Sequence, residues 1–123
     1  MNSKILYVED DPTLGFVTTD NLREEGYEVL LEKDGKSALK RFKKEIVDIC
    51  ILDVMLPEMD GMKVMEFLTS HENYKDITVI VNSSLEKDDE RLIKLRKMGA
   101  IATINKSDAA NQKNLLLEYL KKI

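Results

Sequence analysis

Apolar and polar positions follow two rhythms along this chain. Short runs rich in apolar and β-branched residues occur at KILYV (4–8), YEVLL (27–31), DICIL (48–52), ITVIV (77–81) and IATIN (101–105). Several are apolar nearly throughout, the pattern of parallel strands covered on both faces. Helix-length segments separate them. The first opens at Asp11-Pro12, an N-cap acid followed by proline at the first helical position, and ends near Gly26. The second spans 36–44. The third follows Gly61 and carries Val64, Met65 and Leu68 at helical spacing. The fourth, 86–98, is expected to bury Leu92 and Leu95 and to stop at Gly99. The last, 109–122, places Leu116, Leu120 and Ile123 on one stripe.

Five strands alternating with five helices give a (βα)5 unit, whose strand-helix-strand crossovers are right-handed. The expected fold is α/β: a doubly wound, parallel, five-stranded sheet in the flavodoxin-like order 2-1-3-4-5. No linker, internal repeat or low-complexity tract interrupts it, so residues 1–123 read as a single domain. Composition narrows the class. With 43% hydrophobic and 34% charged residues the chain belongs among soluble globular proteins. Its net charge of -4 argues against direct binding to nucleic acid. No apolar run approaches the roughly 20 residues of a membrane span, and MNSKILYVED lacks the pattern of a signal peptide. The lone Cys50 excludes an internal disulfide and fits a reducing, cytoplasmic compartment. Within IVDICIL it reads as a small buried hydrophobe.

In a doubly wound sheet, ligands bind beyond the carboxyl ends of the strands, at the switch point between strands 1 and 3. Glu9 and Asp10 follow strand 1, and Asp53 follows strand 3 in ICILDVMLPEMDG. Ser83 follows strand 4 in VIVNSSL, and Lys106 follows strand 5 in TINKS. All fall on one rim. Carboxylates gathered there repel and raise each other's pKa. A hard divalent cation with oxygen ligands resolves the conflict, and Mg²⁺ commonly takes one or two carboxylates plus waters and phosphate oxygens. Asp11 is better placed as the helix N-cap than as a ligand. Asp53, ionised at neutral pH, can attack phosphorus to give an aspartyl phosphate. Mg²⁺, the Lys106 ammonium and the Ser83 hydroxyl would then each cover one phosphoryl oxygen.

ILYVEDD, ILDVMLPEMDG, the hydroxyl residue after strand 4 and the lysine after strand 5 together resemble the receiver domain of bacterial two-component response regulators. The resemblance spans essentially the whole chain; through Gly61 it is closest to receivers of the winged-helix transcription-factor subfamily. It implies that Asp53 is the phosphoacceptor, with Glu9 and Asp10 holding Mg²⁺ directly or through water. Met55 would offer its backbone carbonyl to the metal. Ser83 would move toward the phosphate and Lys106 would pair with it. It also implies a sensor histidine kinase as phosphoryl donor, with transfer and later hydrolysis catalysed by the domain on itself and no turnover of external substrates. A downstream effector would read the face of helix 4, strand 5 and helix 5, and phosphorylation leaves a homodimer open. No direct contact with nucleic acid or membrane is implied. Two positions depart from the family. Ser107 stands where a proline in a cis peptide usually follows the lysine; a cis bond before serine would cost roughly 3 kcal/mol, so the loop is strained or differently arranged. Thr103 stands where an aromatic residue usually rotates inward, and GAIAT (99–103) lacks the acidic pair of the subfamily's salt-bridged dimer face.

Blander readings stand beside these. A receiver-like interaction module that no longer switches would also carry Thr103 and Ser107. A Mg²⁺-dependent phosphohydrolase of the haloacid dehalogenase type would need a second acid where Met55 lies, and no G-x-G-x-x-G or Walker pattern supports nucleotide binding. Met55, Met59 and Met62 read as gap fillers, and Glu58, Asp60 and His71 as solvated. Ser84 is a weaker claimant than Ser83. KRFKK (40–44) and EKDDER (86–91) read as solvated helix faces.

Overall fold

The computed structural model describes residues 3–106 and 109–123. Its elements are β1 (Lys4–Val8), α1 (Pro12–Glu24), β2 (Glu28–Glu32), α2 (Gly35–Lys44), β3 (Ile49–Leu52) and α3 (Gly61–Ser70). A 3-10 turn (Glu72–Tyr74), β4 (Thr78–Ser83), α4 (Glu90–Lys97), β5 (Ala102–Asn105) and α5 (Ala109–Lys121) complete it. The strands form one parallel sheet in the order β2-β1-β3-β4-β5, as expected.

The period of two along each strand sorts side chains into two cores. Leu6, Val8, Cys50, Leu52, Val79 and Val81 pack under α2, α3 and α4, against Phe42, Met65, Leu68 and Leu95. Ile5, Tyr7, Ile49, Ile51, Ile80 and Ile104 pack under α1 and α5, against Leu22, Leu116 and Leu120. Both faces of the central strands are therefore dry, which is why their sequences do not alternate. Cys50 is buried and its thiol pKa is pushed up by that burial.

Caps set the helix ends. Asp11 accepts hydrogen bonds from the N–H groups of Thr13 and Leu14 at 3.0 and 3.1 Å, the N-cap role anticipated for it. α4 starts at Glu90, later than the sequence pattern suggested. Asp89 takes the cap by accepting the Arg91 N–H, which leaves 84–89 as a loop. Ile123 departs from the expected stripe: it lies past the end of α5 and is 55% exposed, while Leu117 is buried beside Leu116 and Leu120.

Candidate functional site

β1 and β3 lie side by side with Val8 opposite Leu52, so the next residues, Glu9 and Asp53, emerge together at the carboxyl rim. By the period of two both share the face of Tyr7 and Ile51. Each is sealed from solvent, at 2% and 4% exposure respectively. Lys106, one residue past β5, reaches over β4 toward them. Its backbone N–H donates to the Ser83 carbonyl at 2.9 Å, which fixes the root of the side chain. Its ammonium stands 2.6 Å from Asp53 Oδ2 and 2.6 Å from Glu9 Oε1. The repulsion between the two buried acids is thus answered inside the chain by one lysine.

The three consecutive acids separate in role. Glu9 is buried, Asp10 is exposed, and Asp11 caps α1. Glu9 Oε2 also accepts the Asp11 N–H at 3.1 Å, and the Tyr7 hydroxyl lies 3.4 Å from Oε1. Burial pushes the Glu9 carboxyl above the usual carboxylate range, against the lowering pull of Lys106 and with help from the Asp53 charge. For Lys106 burial works the other way, but the hydrogen bonds to Asp53 and Glu9 outweigh it and its pKa lies above that of an ordinary lysine. One oxygen from each of Glu9, Asp10 and Asp53 can gather within 4.8 Å. Three hard oxygen donors on one rim, one of them open to solvent, fit a divalent cation such as Mg²⁺.

The loop after β3 is shaped around Asp53. The Met55 N–H donates to Asp53 Oδ1 at 3.2 Å, so both carboxylate oxygens are held. Gly61 closes the loop by donating to the Val54 carbonyl at 2.8 Å. A Cβ at Gly61 would overlap the Asp53 carbonyl oxygen, so the close approach requires glycine. Asp60 is more than a solvated acid, since it caps α3 through the Lys63 N–H. Met55 does not fill a gap: it is 53% exposed, with its sulfur 3.3 Å from Arg91 Nη1.

Ser83 is the last residue of β4 and is buried, whereas Ser84 is exposed. Its Oγ accepts the Leu85 N–H at 3.2 Å, which leaves the hydroxyl proton to donate elsewhere. Thr103 Oγ1 accepts a hydrogen bond from Arg96 Nη1 at 2.9 Å, and Arg96 Nη2 donates to the Lys87 carbonyl at 3.4 Å. The Lys106–Ser107 peptide lies outside the described residues. Tyr7 was missed as a partner of Glu9. The signal was available, because a tyrosine two residues before an acid in a strand shares its face.

The family model of the response regulator receiver domain matches residues 5–118. This chain belongs to that family. The receiver is 36% identical over 88 residues to the alkaline phosphatase synthesis transcriptional regulatory protein PhoP of Bacillus subtilis, a match covering 72% of this chain and 37% of PhoP. It spans less than half the length of this and the other first-ranking curated relatives. Among solved structures, a receiver domain of a signal transduction histidine kinase from Syntrophus aciditrophicus superposes with TM-score 0.85 at 28% identity, covering 98% of this chain and 88% of that one. The response regulator protein TrrA of Thermotoga maritima, solved in complex with Mg²⁺-BeF, superposes with TM-score 0.82 at 28% identity, covering 99% and 98% of the two chains. The receiver is therefore a signalling module of the two-component type, and its acidic cluster fits the phosphoacceptor site of such a module. Among the described residues no helix is long and apolar enough to cross a membrane.

Proposed function

We propose that Asp53 is the phosphoacceptor of this receiver and that Mg²⁺ seats on Glu9, Asp10, Asp53 and the Met55 backbone carbonyl. The observation that carries the assignment is Asp53 itself, buried at the end of β3 with the Lys106 ammonium 2.6 Å from Oδ2 and two further acids alongside. An oxygen of Asp53 forms a bond to phosphorus as the donor's P–N bond to a kinase histidine breaks. The metal supplies charge neutralisation for the phosphoryl oxygens. Lys106, already tethered to Asp53, holds a second oxygen. Ser83 donates its hydroxyl proton to a third, exchanging its turn contact with Leu85 for the phosphate. The domain promotes its own phosphorylation and hydrolysis and acts on no external substrate.

The donor is a sensor histidine kinase, and the output passes through α4, β5 and α5 to an effector domain or protein, with homodimer formation on phosphorylation as one form of that output. A cytoplasmic location belongs to the same reading. The test is direct. Incubation with Mg²⁺ and a small phosphodonor, or with beryllofluoride, is expected to modify wild type at Asp53 and leave Asp53→Ala unmodified, as read by mass spectrometry. Equal behaviour of the two proteins refutes the assignment. The alternative, a receiver-like module that does not switch, draws on Thr103, which Arg96 holds in place of a mobile aromatic ring. It predicts partner affinity that is the same with and without beryllofluoride.

A further inference from the structure

Residues 33–44 contain six lysines and arginines and one acid, Asp34, a local charge of +5 in a chain of net charge -4. On α2 this concentration becomes a pattern. Lys36, Lys40 and Lys44 recur every four residues, so they form one row about 12 Å long at 1.5 Å of rise per residue. All three are exposed, and none makes an ion pair among the described residues. Their basic neighbours are spoken for. Arg41 pairs with Glu32 and Glu45 at 3.2 and 3.4 Å, and Lys43 lies 5.8 Å from the centre of the Phe67 ring. Asp34 is occupied as the helix cap, accepting the Ser37 N–H at 2.7 Å. Like charges four apart destabilise a helix, and Asp34 offsets this only at the Lys36 end, where its charge acts on that lysine.

The row ends beside a cleft of mixed lining. Ile46, just past α2, is 87% exposed. It lines a cleft of about 260 Å³ in which the apolar Phe42, Val47, Tyr74 and Ile77 alternate with Lys44, Glu45 and Asn73. Cations beside a cleft that carries an exposed isoleucine fit a partner that brings carboxylates and a hydrophobic side chain together.

We propose that the α2 face docks an acidic segment of a partner protein, with carboxylates along Lys36, Lys40 and Lys44 and one apolar side chain in the cleft at Ile46. The spacing suits a polypeptide. Successive lysines stand about 6 Å apart along the helix axis, close to the interval of about 6.6 Å between same-face side chains of an extended chain. A long duplex or an anionic membrane fits less well. With +5 on residues 33–44, the other 111 residues together carry -9, and a large anionic surface meets that charge as well as the patch. A short segment feels mainly what lies within the Debye length of about 8–10 Å. A single exposed isoleucine is also too little apolar area to hold a membrane.

The probe is a short fluorescein-labelled peptide of alternating glutamate and serine with one central leucine, titrated with the whole chain and followed by anisotropy. Wild type is expected to bind it with an affinity that falls as salt rises. The triple reversal Lys36→Glu, Lys40→Glu, Lys44→Glu alters only exposed side chains and is expected to weaken binding at least about tenfold. Ile46→Ser, or serine in place of the peptide's leucine, is expected to weaken it several-fold. Circular dichroism and retained modification at Asp53 confirm that the variants are folded. No binding at low salt, equal binding by the triple variant, or tighter binding of a DNA duplex or of phosphatidylserine vesicles than of the peptide overturns the proposal. The two tests read different residues, so failure here leaves the Asp53 assignment standing, and the reverse holds too.

Discussion

Lys106→Met is the sharpest test of how the rim tolerates its acids. Methionine keeps most of the side chain's length but removes the ammonium that stands 2.6 Å from both Glu9 and Asp53. Breaking a buried ion pair by deleting one partner costs about 3–5 kcal/mol, because the remaining charge is left uncompensated. The lower end applies here, since one acid can escape by binding a proton. Glu9 is the one, its carboxyl already held above the usual range by burial. We expect a loss of about 3 kcal/mol at pH 7 without divalent ions, or roughly 12 °C in Tm for a chain of this length. The pH dependence has a definite sign. A carboxyl whose folded pKa is raised favours the folded state at low pH and loses that contribution as pH rises through the folded value. Removing Lys106 raises Glu9 further, so the deficit of the variant is widest near neutrality and narrows as pH falls toward the ordinary glutamate range. The wild-type contribution of Lys106, whose pKa is raised, is complete below the ordinary lysine value and fades only in strong alkali. Mg²⁺ then supplies a second reading. A ligand that binds only the folded state stabilises it according to its affinity, and the metal no longer competes with an ammonium in the variant. Mg²⁺ should therefore raise Tm more in Lys106→Met than in wild type. Urea and thermal melts at pH 5 and pH 7, with and without Mg²⁺, decide the matter. A variant as stable as wild type at pH 7, a deficit that widens on acidification, or a smaller Mg²⁺ shift would each refute the reasoning.

Three further outcomes are expected. Gly61→Ala drives a methyl group into the Asp53 carbonyl and should cost about 2–3 kcal/mol in urea denaturation, with slower adduct formation at Asp53. Asp11→Ala removes the acceptor for two free N–H groups of α1 and should cost about 1 kcal/mol, with adduct formation retained. Arg96→Ala frees Thr103 and the Lys87 carbonyl; stability should fall by no more than about 1 kcal/mol while amide exchange across 84–89 accelerates.

The strands and the rim were legible in the sequence because parallel strands buried on both faces leave unbroken apolar runs, and the first polar residue after each run falls at the carboxyl end. Glu9, Asp53 and Lys106 directly follow their runs and were found by that rule; Ser83, two residues past the run 77–81, was picked for its hydroxyl. What stayed hidden depends on distance across the sheet. Nothing local says that Lys106 spans β4 to bind Glu9 as well as Asp53, or that Arg96 of α4 would meet Thr103 of β5. Asn82, one residue past the expected run 77–81, lies inside β4, buried, with neither amide atom bonded among the described residues. The start of α4 was misplaced because the acids of EKDDER fit a helix interior by periodicity, while capping by Asp89 decides the boundary.

Under the proposed function, the arrangement of strands also offers an output route that needs no aromatic residue. Glu9 and Asp53 follow β1 and β3, each paired on both sides, so their backbones are held by ladders left and right. Lys106 follows β5, an edge strand of four residues, and its root is bonded to the carbonyl of Ser83. Ser83 thus faces two ways: its carbonyl holds Lys106, and its hydroxyl holds Leu85 at the start of the loop to α4. That loop also carries the Lys87 carbonyl, which Arg96 grips while its other nitrogen grips Thr103. Under the proposed function, a phosphoryl group that draws the Ser83 hydroxyl away releases Leu85 and loosens the loop. Arg96 then loses one of its two acceptors, so the α4–β5 face changes through a guanidinium and a threonine, groups that need no large cavity to move into.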